Sequence, residues 1–306
     1  MKLIPMVTLS ENFVTITNTR TAKILIVHKK SQYELYRDST DAAVRAYLEG
    51  DKVIAKKLLE SHKNNYEALI ATQTAFLRAG YKPTTVYRGD VTVQQLHDAD
   101  LIVGVGGDGT ILDIAHLCGS TPVLGVNSDP KNSFGFLCAA NASTIDEIVN
   151  NLATLPLHNL ATLQPYIDGN PTRERAINDL LFAHSNVAAM TKYDLLVPIV
   201  ESRKDSGLLV CTATGSTAWM YNAGGESMQR GDHRMQYRSR DLRHAKSLYA
   251  TELEFISKIR EGILVIDTQH IRYDVSIGQK VKLAAGEPFN LIGEFGAKRE
   301  SLNPPN

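Results

Sequence analysis

A glycine turn with a carboxylate at its centre is the part of this chain whose residue types best suit chemistry. The turn, Gly-Gly-Asp-Gly-Thr at 106–110, follows an apolar run and precedes apolar residues at helical spacing. Backbone N–H groups at such a helix start, with no side chains in the way, form a site for phosphate. Asp108 would repel a bound pyrophosphate, but it suits a hydroxyl that loses its proton while a phosphoryl group arrives. The turn therefore favours a kinase.

Two other interpretations of the turn stay open on the residues alone. Gly104, Gly106 and Gly109 also satisfy the G-x-G-x-x-G fingerprint of a dinucleotide-binding oxidoreductase. Asp129, twenty residues beyond Gly109, would then be the acidic partner of the ribose. The second alternative is structural, since Asp108 is also a residue type that caps helices.

Two further segments carry polar side chains that a scaffold does not need. Asn178 and Asp179 are adjacent in a predicted strand, where neighbouring side chains share a face only at a strand end or a bulge. The stretch 210–225 gathers four small hydroxyl residues and closes on the glycine pair Gly224-Gly225. Each segment alone also fits ordinary structure, as a strand-end turn or as a capped helix after a strand.

Taken in order, these segments resemble the NAD kinase family. That family is marked by a GGDGT turn, an Asn-Glu or Asn-Asp pair, and a TGSTA stretch that ends in a glycine pair. The matching positions here are 106–110, 178–179, 214–218 and 224–225, with Gly125-Val126-Asn127 and Gly135-Phe136-Leu137 as a fourth matching region. The resemblance runs from about residue 22 to about residue 290, and 177–184 and 206–218 look most like plant-type NADH kinases.

The resemblance implies a role for each matched residue. Asp108 would accept the proton of the 2′-hydroxyl of the adenosine ribose while that oxygen receives the γ-phosphate of ATP, which gives NADP(H). Gly109 would let the dinucleotide approach the backbone, and Asn178 and Asp179 would hold ribose hydroxyls. The substrate-binding residues that the resemblance implies are Gly107, Gly109, Thr110, Asn127, Phe136, Asn178, Asp179, Ser206, Thr217, Ala218, Trp219 and Asn222.

Two positions depart from the family's commonest pattern. Ser206 stands where many members have Asp before the Gly-Leu pair, and Trp219 replaces the usual Tyr. A carboxylate near the nicotinamide would favour the cationic ring of NAD⁺ over the neutral ring of NADH. We therefore predict that this chain accepts NADH at least as well as NAD⁺. The alternative is that Asp205 supplies the charge from one position earlier.

The elements that position the glycine turn follow from hydrophobic patterning. Strands that alternate with helices indicate a parallel sheet, and ligands bind beyond the carboxyl ends of its strands. The turn 106–110 and the segment 127–134 lie at such ends. The predicted strands are 23–27, 84–87, 101–105 and 123–126, and the predicted helix is 51–80.

After about residue 140 the pattern changes to short segments separated by Gly, Asn and Asp turns, which is typical of an antiparallel, β-rich domain. A short helix at 143–152 precedes predicted strands at 164–167, 175–182, 192–199, 208–211, 262–266, 271–275 and 281–283. The predicted fold class is α/β, a parallel-sheet α/β domain followed by a β-rich antiparallel domain. The predicted bounds are 1–141 for the α/β domain, 142–290 for the dinucleotide-binding domain and 291–306 for a C-terminal tail.

Composition limits the partners of the chain. Thirty-three basic and 33 acidic residues give no overall field that would attract nucleic acid or a membrane surface. Cys118, Cys138 and Cys211 stand in apolar settings and predict buried, reduced residues, and the nine histidines show no metal-binding spacing. The first twenty residues carry little charge, so we expect a cytoplasmic protein, with an organellar location left open.

The resemblance implies ATP and NAD⁺ or NADH as substrates, Mg²⁺ accompanying ATP, and assembly as a homodimer or homotetramer. Two other functions stay open. One is a lipid kinase of the diacylglycerol or sphingosine type, which shares the GGDGT turn but not the TGSTA stretch. The other is a module that binds a dinucleotide without turnover. The segment 229–246, with six Lys or Arg against two Asp, is either a solvated surface or a contact to polyphosphate.

Overall fold

The chain divides into two compact units. The computed structural model describes residues 7–10, 13–16, 21–50, 52–242, 245–268 and 270–295. Unit 1 is Met1–His158 together with Asn290–Asn306, and unit 2 is Asn159–Phe289. This division differs from the predicted bounds, because residues 142–158 belong to the first unit and the chain returns to that unit after residue 289.

The strands are numbered in chain order. They are β1 Val7–Ser10, β2 Phe13–Ile16, β3 Ile24–His28, β4 Thr84–Tyr87, β5 Leu101–Gly106, β6 Val123–Asn127, β7 Ala140–Asn141, β8 Leu157–Leu160, β9 Leu163–Ile167, β10 Asn170–Pro171, β11 Asp179–His184, β12 Thr191–Val197, β13 Glu201–Asp205, β14 Leu208–Cys211, β15 Met235–Ser239, β16 Leu248–Ala250, β17 Leu253–Ser257, β18 Gly262–Ile266, β19 Arg272–Val275, β20 Lys280–Ala285 and β21 Phe289–Ile292.

The helices are α1 Gln32–Arg37, α2 Ala42–Gly50, α3 Lys52–Arg78, α4 Val93–Asp98, α5 Asp108–Ala115, α6 Ile145–Asn150 and α7 Trp219–Asn222, with 3₁₀ turns at Leu152–Thr154 and Gly215–Thr217. No helix among the described residues is long and apolar enough to cross a membrane. All three cysteines are buried, as the sequence predicts.

Unit 1 is built on a seven-stranded sheet of order β4-β3-β5-β6-β21-β8, with β7 paired to β6. Strand β5 pairs in parallel with β3 and β6, and β6 pairs in parallel with β21. Every residue of β5 and β6 is buried, as parallel strands covered by helices on both faces require. The predicted parallel α/β fold is confirmed in this unit.

The packing of the helices and of the last strand explains which segments of the chain belong to unit 1. Ala68, Ala75 and Phe76 of α3 lie in the same apolar core as β3 and β5, and α6 adds Ile145 and Val149 to that core. The segment 142–158 therefore belongs with the first sheet rather than with the second domain. The predicted tail 291–306 also starts differently, since its first residues lie in β21, where Leu291 pairs with Val123.

Unit 2 contains two six-stranded sheets whose pairings are antiparallel. Their orders are β10-β9-β20-β17-β12-β13 and β16-β15-β14-β11-β18-β19. Both sheets contribute to one core, in which Phe182 of one sheet contacts Tyr193 and Phe255 of the other, with ring centroids 5.9 and 4.7 Å away. The predicted β-rich antiparallel domain is confirmed. Strand β13 was not predicted, because Glu-Ser-Arg-Lys-Asp at a sheet edge has no apolar alternation.

Candidate active site

The glycine turn connects β5 to α5 in unit 1. Gly107 is the N-cap residue of α5 and offers no side-chain hydrogen bond to the helix, so Asp108 is the first helical residue rather than its cap. The capping interpretation of Asp108 is therefore wrong. Ile111 and Ile114 of α5 are fully buried against Gly104 of β5, which anchors the helix on the sheet and holds the turn in place.

The carboxylate of Asp108 is held in one orientation by two backbone N–H groups. Phe136 donates to Oδ2 at 2.9 Å and Leu137 donates to Oδ1 at 2.7 Å. The structure thus brings together the GGDGT turn and the Gly-Phe-Leu segment, which are 25 residues apart in the chain. Because each carboxylate oxygen has two lone pairs, Asp108 can still accept a hydrogen bond from a hydroxyl. The side chain is half-buried, so a ligand can reach it.

The loop that carries Phe136 is shaped by Asn127, at the end of β6. Asn127 is 4% exposed, donates to the carbonyl of Ser133 at 2.8 Å and accepts from the N–H of Asp129 at 3.1 Å. Gly135 has φ +61° and packs against the Asn127 amide, where a Cβ would lie 2.3 Å from Nδ2. Asn127 therefore determines where Phe136 and Leu137 meet Asp108.

Asp129 serves the scaffold and does not resemble a ribose partner. It is 3% exposed, and its Oδ1 accepts from the amide of Asn64 at 2.9 Å, while its Oδ2 accepts from that of Asn132 at 3.0 Å. Burial alone would raise its pKa, but hydrogen bonds from Ser61, Asn132 and Asn64, together with the positive charge of Lys29, lower it. The carboxylate is thus ionised and enclosed, which argues against the oxidoreductase interpretation.

The other predicted residues of the turn differ in exposure. Gly109 is exposed, and a Cβ built on it would meet nothing within 4 Å. Gly107 is half-buried, and a Cβ built on it would lie 2.9 Å from Ser133 Oγ. Thr110 is 1% exposed, and among the described residues its Oγ1 has no hydrogen-bond partner. Of these residues, Gly109 offers backbone that a ligand can approach.

In unit 2, the pair Asn178 and Asp179 lies at a strand start. Strand β11 begins at Asp179, so Asn178 is the residue before it and the two side chains need not face opposite ways. The carboxylate of Asp267 accepts three backbone N–H groups, from Ile177 at 2.7 Å and from Asn178 and Asp179 at 2.8 Å each. Sequence reasoning missed Asp267, because a single Asp after a strand belongs to no motif.

Asp179 is a buried carboxyl group with an unusual titration. It is 6% exposed. Burial, and then the negative charge of Asp267, raise the pKa of Asp179 to about 7. The Cys211 thiol shares this environment, and burial with the nearby Asp179 charge raises its pKa. The carboxyl group of Asp179 therefore changes charge near neutral pH.

The TGSTA stretch packs directly on this strand start. Thr212 N–H donates to the Asn178 carbonyl at 2.9 Å, and a Cβ on Gly215 would lie 2.0 Å from that oxygen. The hydroxyl of Thr212 in turn accepts from the N–H groups of Thr214 and Gly215, at 3.0 and 3.2 Å. The structure thus joins the Asn-Asp pair and the TGSTA stretch.

The hydroxyl residues of this stretch have unequal roles. Ser216 is fully buried, donates to the Ala213 carbonyl and accepts from Met228 N–H, both at 2.8 Å. Ser216 is thus structural. The predicted ligand-binding residues that follow reach the surface: Thr217 and Ala218 are half-buried, and Trp219 and Asn222 are exposed.

Ser206, the other departure from the family pattern, lies half-buried in the turn between β13 and β14. Its neighbour Asp205 is 2% exposed and accepts from Tyr193 OH and Gly207 N–H, each at 2.9 Å. The hydrogen bonds of the Asp205 carboxylate are therefore made inside the protein, and the group is not presented to a ligand. Near this turn, the backbone N–H of Arg240 donates to the Gly207 carbonyl at 2.7 Å. The Arg240 guanidinium pairs with Asp241 at 3.1 Å and lies 5.7 Å from the Trp219 ring centroid.

Among the described residues, no three His, Cys, Asp or Glu side chains are grouped so as to hold a metal ion.

The predicted site residues are divided between the two units. Those in unit 1 are Gly107, Asp108, Gly109, Thr110, Asn127 and Phe136, and the others belong to unit 2.

Comparison with known proteins identifies the N-terminal region. Residues 13–154 match the ATP-NAD kinase N-terminal domain. A probable NADH kinase of Oryza sativa subsp. japonica is 29% identical over 243 residues, which cover 67% of this chain and 74% of that protein. An NAD kinase of Clostridium beijerinckii is 32% identical over 145 residues, 44% of this chain and 50% of that protein. The match thus spans about half the length of the clostridial relative.

Two solved structures share the fold. An NAD kinase from Archaeoglobus fulgidus in complex with ATP aligns with a TM-score of 0.65 at 19% identity, covering 92% of this chain and 97% of that one. Yeast NADH kinase complexed with NADH aligns with a TM-score of 0.67 at 15% identity, covering 97% and 92%. At these identities the likeness establishes the fold alone.

Proposed function

Because this chain belongs to the NAD kinase family, we propose that it transfers the γ-phosphate of ATP to NAD⁺ or NADH. The acceptor atom is the 2′-hydroxyl oxygen of the adenosine ribose, and the products are ADP and NADP(H). The carboxylate of Asp108 carries this proposal, since it is half-buried, oriented by two N–H groups and placed in the first turn of α5.

Asp108 accepts the proton of the 2′-hydroxyl as the new P–O bond forms. Its two hydrogen bonds fix the carboxylate, so no rotation precedes proton transfer, and proton acceptors of this kind contribute about 10²–10⁴-fold to rate. Phosphoryl transfer otherwise depends on alignment and charge neutralisation. A divalent metal enters with ATP as part of that substrate, and we propose Mg²⁺, because it binds through phosphate oxygens. The N–H groups of 107–109 add positive potential to the same place.

Each unit presents residues that we assign to the dinucleotide. In unit 1, Gly109 offers open backbone and Phe136 a half-buried ring, with Gly107 and Thr110 beside them. Asn127 acts through the loop that it holds. In unit 2, Asn178 and ionised Asp179 accept hydrogen bonds from ribose hydroxyls, and the surface formed by Thr217, Ala218, Trp219 and Asn222 lines the remainder of the ligand.

The neutral ring of NADH suits this chain at least as well as the cationic ring of NAD⁺. Ser206 carries no charge, and the Asp205 carboxylate is enclosed and accepts from Tyr193 and Gly207. We also propose a homodimer or homotetramer, as the resemblance implies, and a cytoplasmic location, which the three buried cysteines favour. Analytical ultracentrifugation and cell fractionation measure these two properties.

One incubation separates the proposed function from its rivals. The purified chain is mixed with ATP and Mg²⁺, then with NAD⁺, NADH or diacylglycerol, and the phosphorylated product is quantified. We expect NADP⁺ or NADPH and no phosphorylated lipid. Lipid product alone would favour the lipid kinase, and dinucleotide binding without product would favour a sensing module. Either result would overturn the proposed function.

A further inference from the structure

Arg238 is a buried cation that the proposed reaction does not use. It lies on β15, where Met235 and Tyr237 point into the main core of unit 2. Side chains alternate along a strand, so Arg238 faces the other side of the sheet, next to its cross-strand neighbour Leu209. That side carries a separate apolar cluster, which includes Met220 of α7.

The guanidinium of Arg238 is largely without partners. The residue is 5% exposed, and Nη2 donates to the Ala245 carbonyl at 3.0 Å. Its Nε and Nη1 are buried and have no hydrogen-bond partner, and in the part of the chain that the structure describes no carboxylate pairs with it. Burying a charge without a counter-charge is costly, so such a group is stable only where the surroundings or a ligand compensate it.

The neighbouring arginines of the basic segment 229–246 are different. Arg234 pairs with Asp232 at 2.7 Å and lies over the ring of Tyr249. Arg240 pairs with Asp241 at 3.1 Å. Both have their counter-charges at the surface, whereas Arg238 has its charge inside and no anion beside it.

The glycine pair covers the unpartnered side of Arg238. Gly224 is exposed, has φ +82°, and a Cβ built on it would lie 3.1 Å from Nη1. Gly224 lies two residues after the end of α7, so the guanidinium lies next to the end of the surface 217–222 that we assign to the dinucleotide. Two glycines in succession permit changes of φ and ψ that other residues resist. The N–H groups of Gly224 and Gly225 donate to the carbonyls of Tyr221 and Met220 at 2.9 and 2.8 Å, so a movement of this backbone must open those two hydrogen bonds.

We propose that Arg238 and the Gly224-Gly225 pair form an oxyanion site that binds a phosphate group of a nucleotide. The N–H groups at Nε and Nη1 donate to phosphate oxygens, and the 224–225 backbone moves to admit them. Charge-assisted bonds from arginine to phosphate are among the stronger hydrogen bonds in proteins. The site itself is independent of the reaction; only the choice of a nucleotide as the carrier of the phosphate rests on the proposed function.

The test measures binding of inorganic pyrophosphate by titration calorimetry and by the shift of Tm. The variants are Arg238→Met, which removes the charge, and Arg234→Met as a matched control on a paired surface arginine. We expect pyrophosphate to stabilise the parent and the control equally. Arg238→Met should bind it at least about tenfold more weakly, the loss expected for a hydrogen bond to a charged group.

Further arms identify the source of the phosphate. NADH and ATP are each titrated, with adenosine as the phosphate-free comparison, and dependence on Arg238 for NADH alone or for ATP alone assigns the site to that substrate. Equal affinities of parent and Arg238→Met for all three phosphates would overturn the proposal. If Arg238→Met does not fold, hydrogen exchange of the parent decides. Movement of the 224–225 backbone opens the hydrogen bonds of these two N–H groups, so pyrophosphate should change their exchange rates, and unchanged exchange would overturn the proposal.

Turnover is assayed in parallel, so that two failures remain distinguishable. Arg238-dependent binding of pyrophosphate in a chain that phosphorylates neither NAD⁺ nor NADH would refute the proposed function and keep the oxyanion site. Phosphorylation of NAD⁺ or NADH by a chain whose pyrophosphate binding does not depend on Arg238 would keep the proposed function and refute the oxyanion site.

Discussion

Asp108 combines two tasks, because the carboxylate that would take the substrate's proton also holds Phe136 and Leu137. Asp108→Asn should lower kcat by about 10²–10⁴-fold, the usual contribution of a proton acceptor. The amide keeps one acceptor oxygen but turns its NH₂ towards a backbone N–H, so a modest fall of Tm should accompany the loss. The measurements are steady-state kinetics and thermal unfolding.

The control for this substitution is Asp113→Asn on the same helix. Asp113 pairs with Arg88 at 2.9 Å, and we place it in no catalytic role. Its kcat should stay near that of the parent. A kcat of Asp108→Asn within about threefold of the parent would remove Asp108 from the proton transfer.

Asp179 makes a second residue-scale prediction, which concerns pH. Its pKa is about 7 in the folded chain against 3.8 as the ordinary value. The folded state therefore favours the protonated form. Below about pH 4 the carboxyl group is mostly protonated in both the folded and the unfolded state, and the free energy of unfolding is at its highest with respect to this group. As pH rises from 4 to 7, the unfolded state releases the proton first, and the free energy of unfolding falls by up to about 4 kcal/mol. Asp179→Asn should remove this fall, as denaturant unfolding at pH 4 and pH 8 would measure.

The same titration should appear in substrate binding. If ionised Asp179 accepts ribose hydroxyls, KM for the dinucleotide should rise as pH falls below about 7, while KM for ATP does not follow it. Asp179→Asn should have a higher KM with a flatter pH profile. A parent whose KM for the dinucleotide is constant between pH 6 and 8 would contradict this role.

Motif residues and supporting residues differ in how well the sequence identifies them. Asp108, Asn178 and Asp179 belong to short patterns whose residue types already indicate chemistry. Asp267 and Arg238 belong to no such pattern. Asp267 contacts Asn178, and Arg238 contacts Gly224, so each acts on a segment of the chain other than its own. Such roles depend on three-dimensional neighbours and leave no local pattern.

At the scale of elements, the turn before α5 permits a test of ligand approach. Gly109→Ala adds a methyl group that meets nothing within 4 Å, at a helical position where Ala is favoured over Gly by about 0.5–1 kcal/mol. The variant should be at least as stable as the parent, yet have a raised KM for the dinucleotide. Calorimetry and kinetics together measure both. An unchanged KM would mean that no ligand approaches this backbone.

Gly125→Ala is the comparison, because the same methyl group on β6 would lie 2.3 Å from the Leu137 carbonyl oxygen. That variant should lose stability, and it should disturb the segment that donates to Asp108. A stable Gly125→Ala would contradict the packing described for β6.

The turn between β13 and β14 carries a prediction on redox preference. Two unit charges about 4 Å apart interact by about 4 kcal/mol at an effective dielectric of 20 and by about 1 kcal/mol in water. Ser206→Asp should therefore lower the ratio of kcat/KM for NADH over that for NAD⁺. Ser276→Asp, at an exposed position directly after β19, is the control and should leave the ratio unchanged. A parent that strongly favours NAD⁺, or a ratio that Ser206→Asp does not move, would refute this role.

The elements themselves were predictable where apolar residues set the period. Strands β4, β14 and β18 have the predicted bounds, and β5 and β6 extend one residue beyond them. Strand β15 escaped prediction because Gln236, Arg238 and Ser239 are buried in it, so its polarity hides its burial. The pairing of β21 with β6 was also not predicted, because two strands so far apart in the chain leave no local signal of their contact.

At the scale of the whole molecule, unit 1 depends on a strand that follows unit 2 in the chain. Leu291 of β21 is fully buried beside Val123 of β6, so Leu291→Ala should destabilise unit 1 by about 2–5 kcal/mol. Hydrogen exchange should accelerate in β5 and β6 and stay unchanged in β17 and β20. Equal acceleration in both sets would show that the two units unfold as one.

The position of β21 also bears on how the protein is made. It is the neighbour of both β6 and β8, yet the ribosome completes it only after the roughly 130 residues of unit 2. At a synthesis rate of about 5–20 residues per second, the nascent α/β unit waits on the order of 10 s with one edge of β6 short of its partner. We expect the second unit to finish folding first, so that completion on the ribosome runs against the order of the chain.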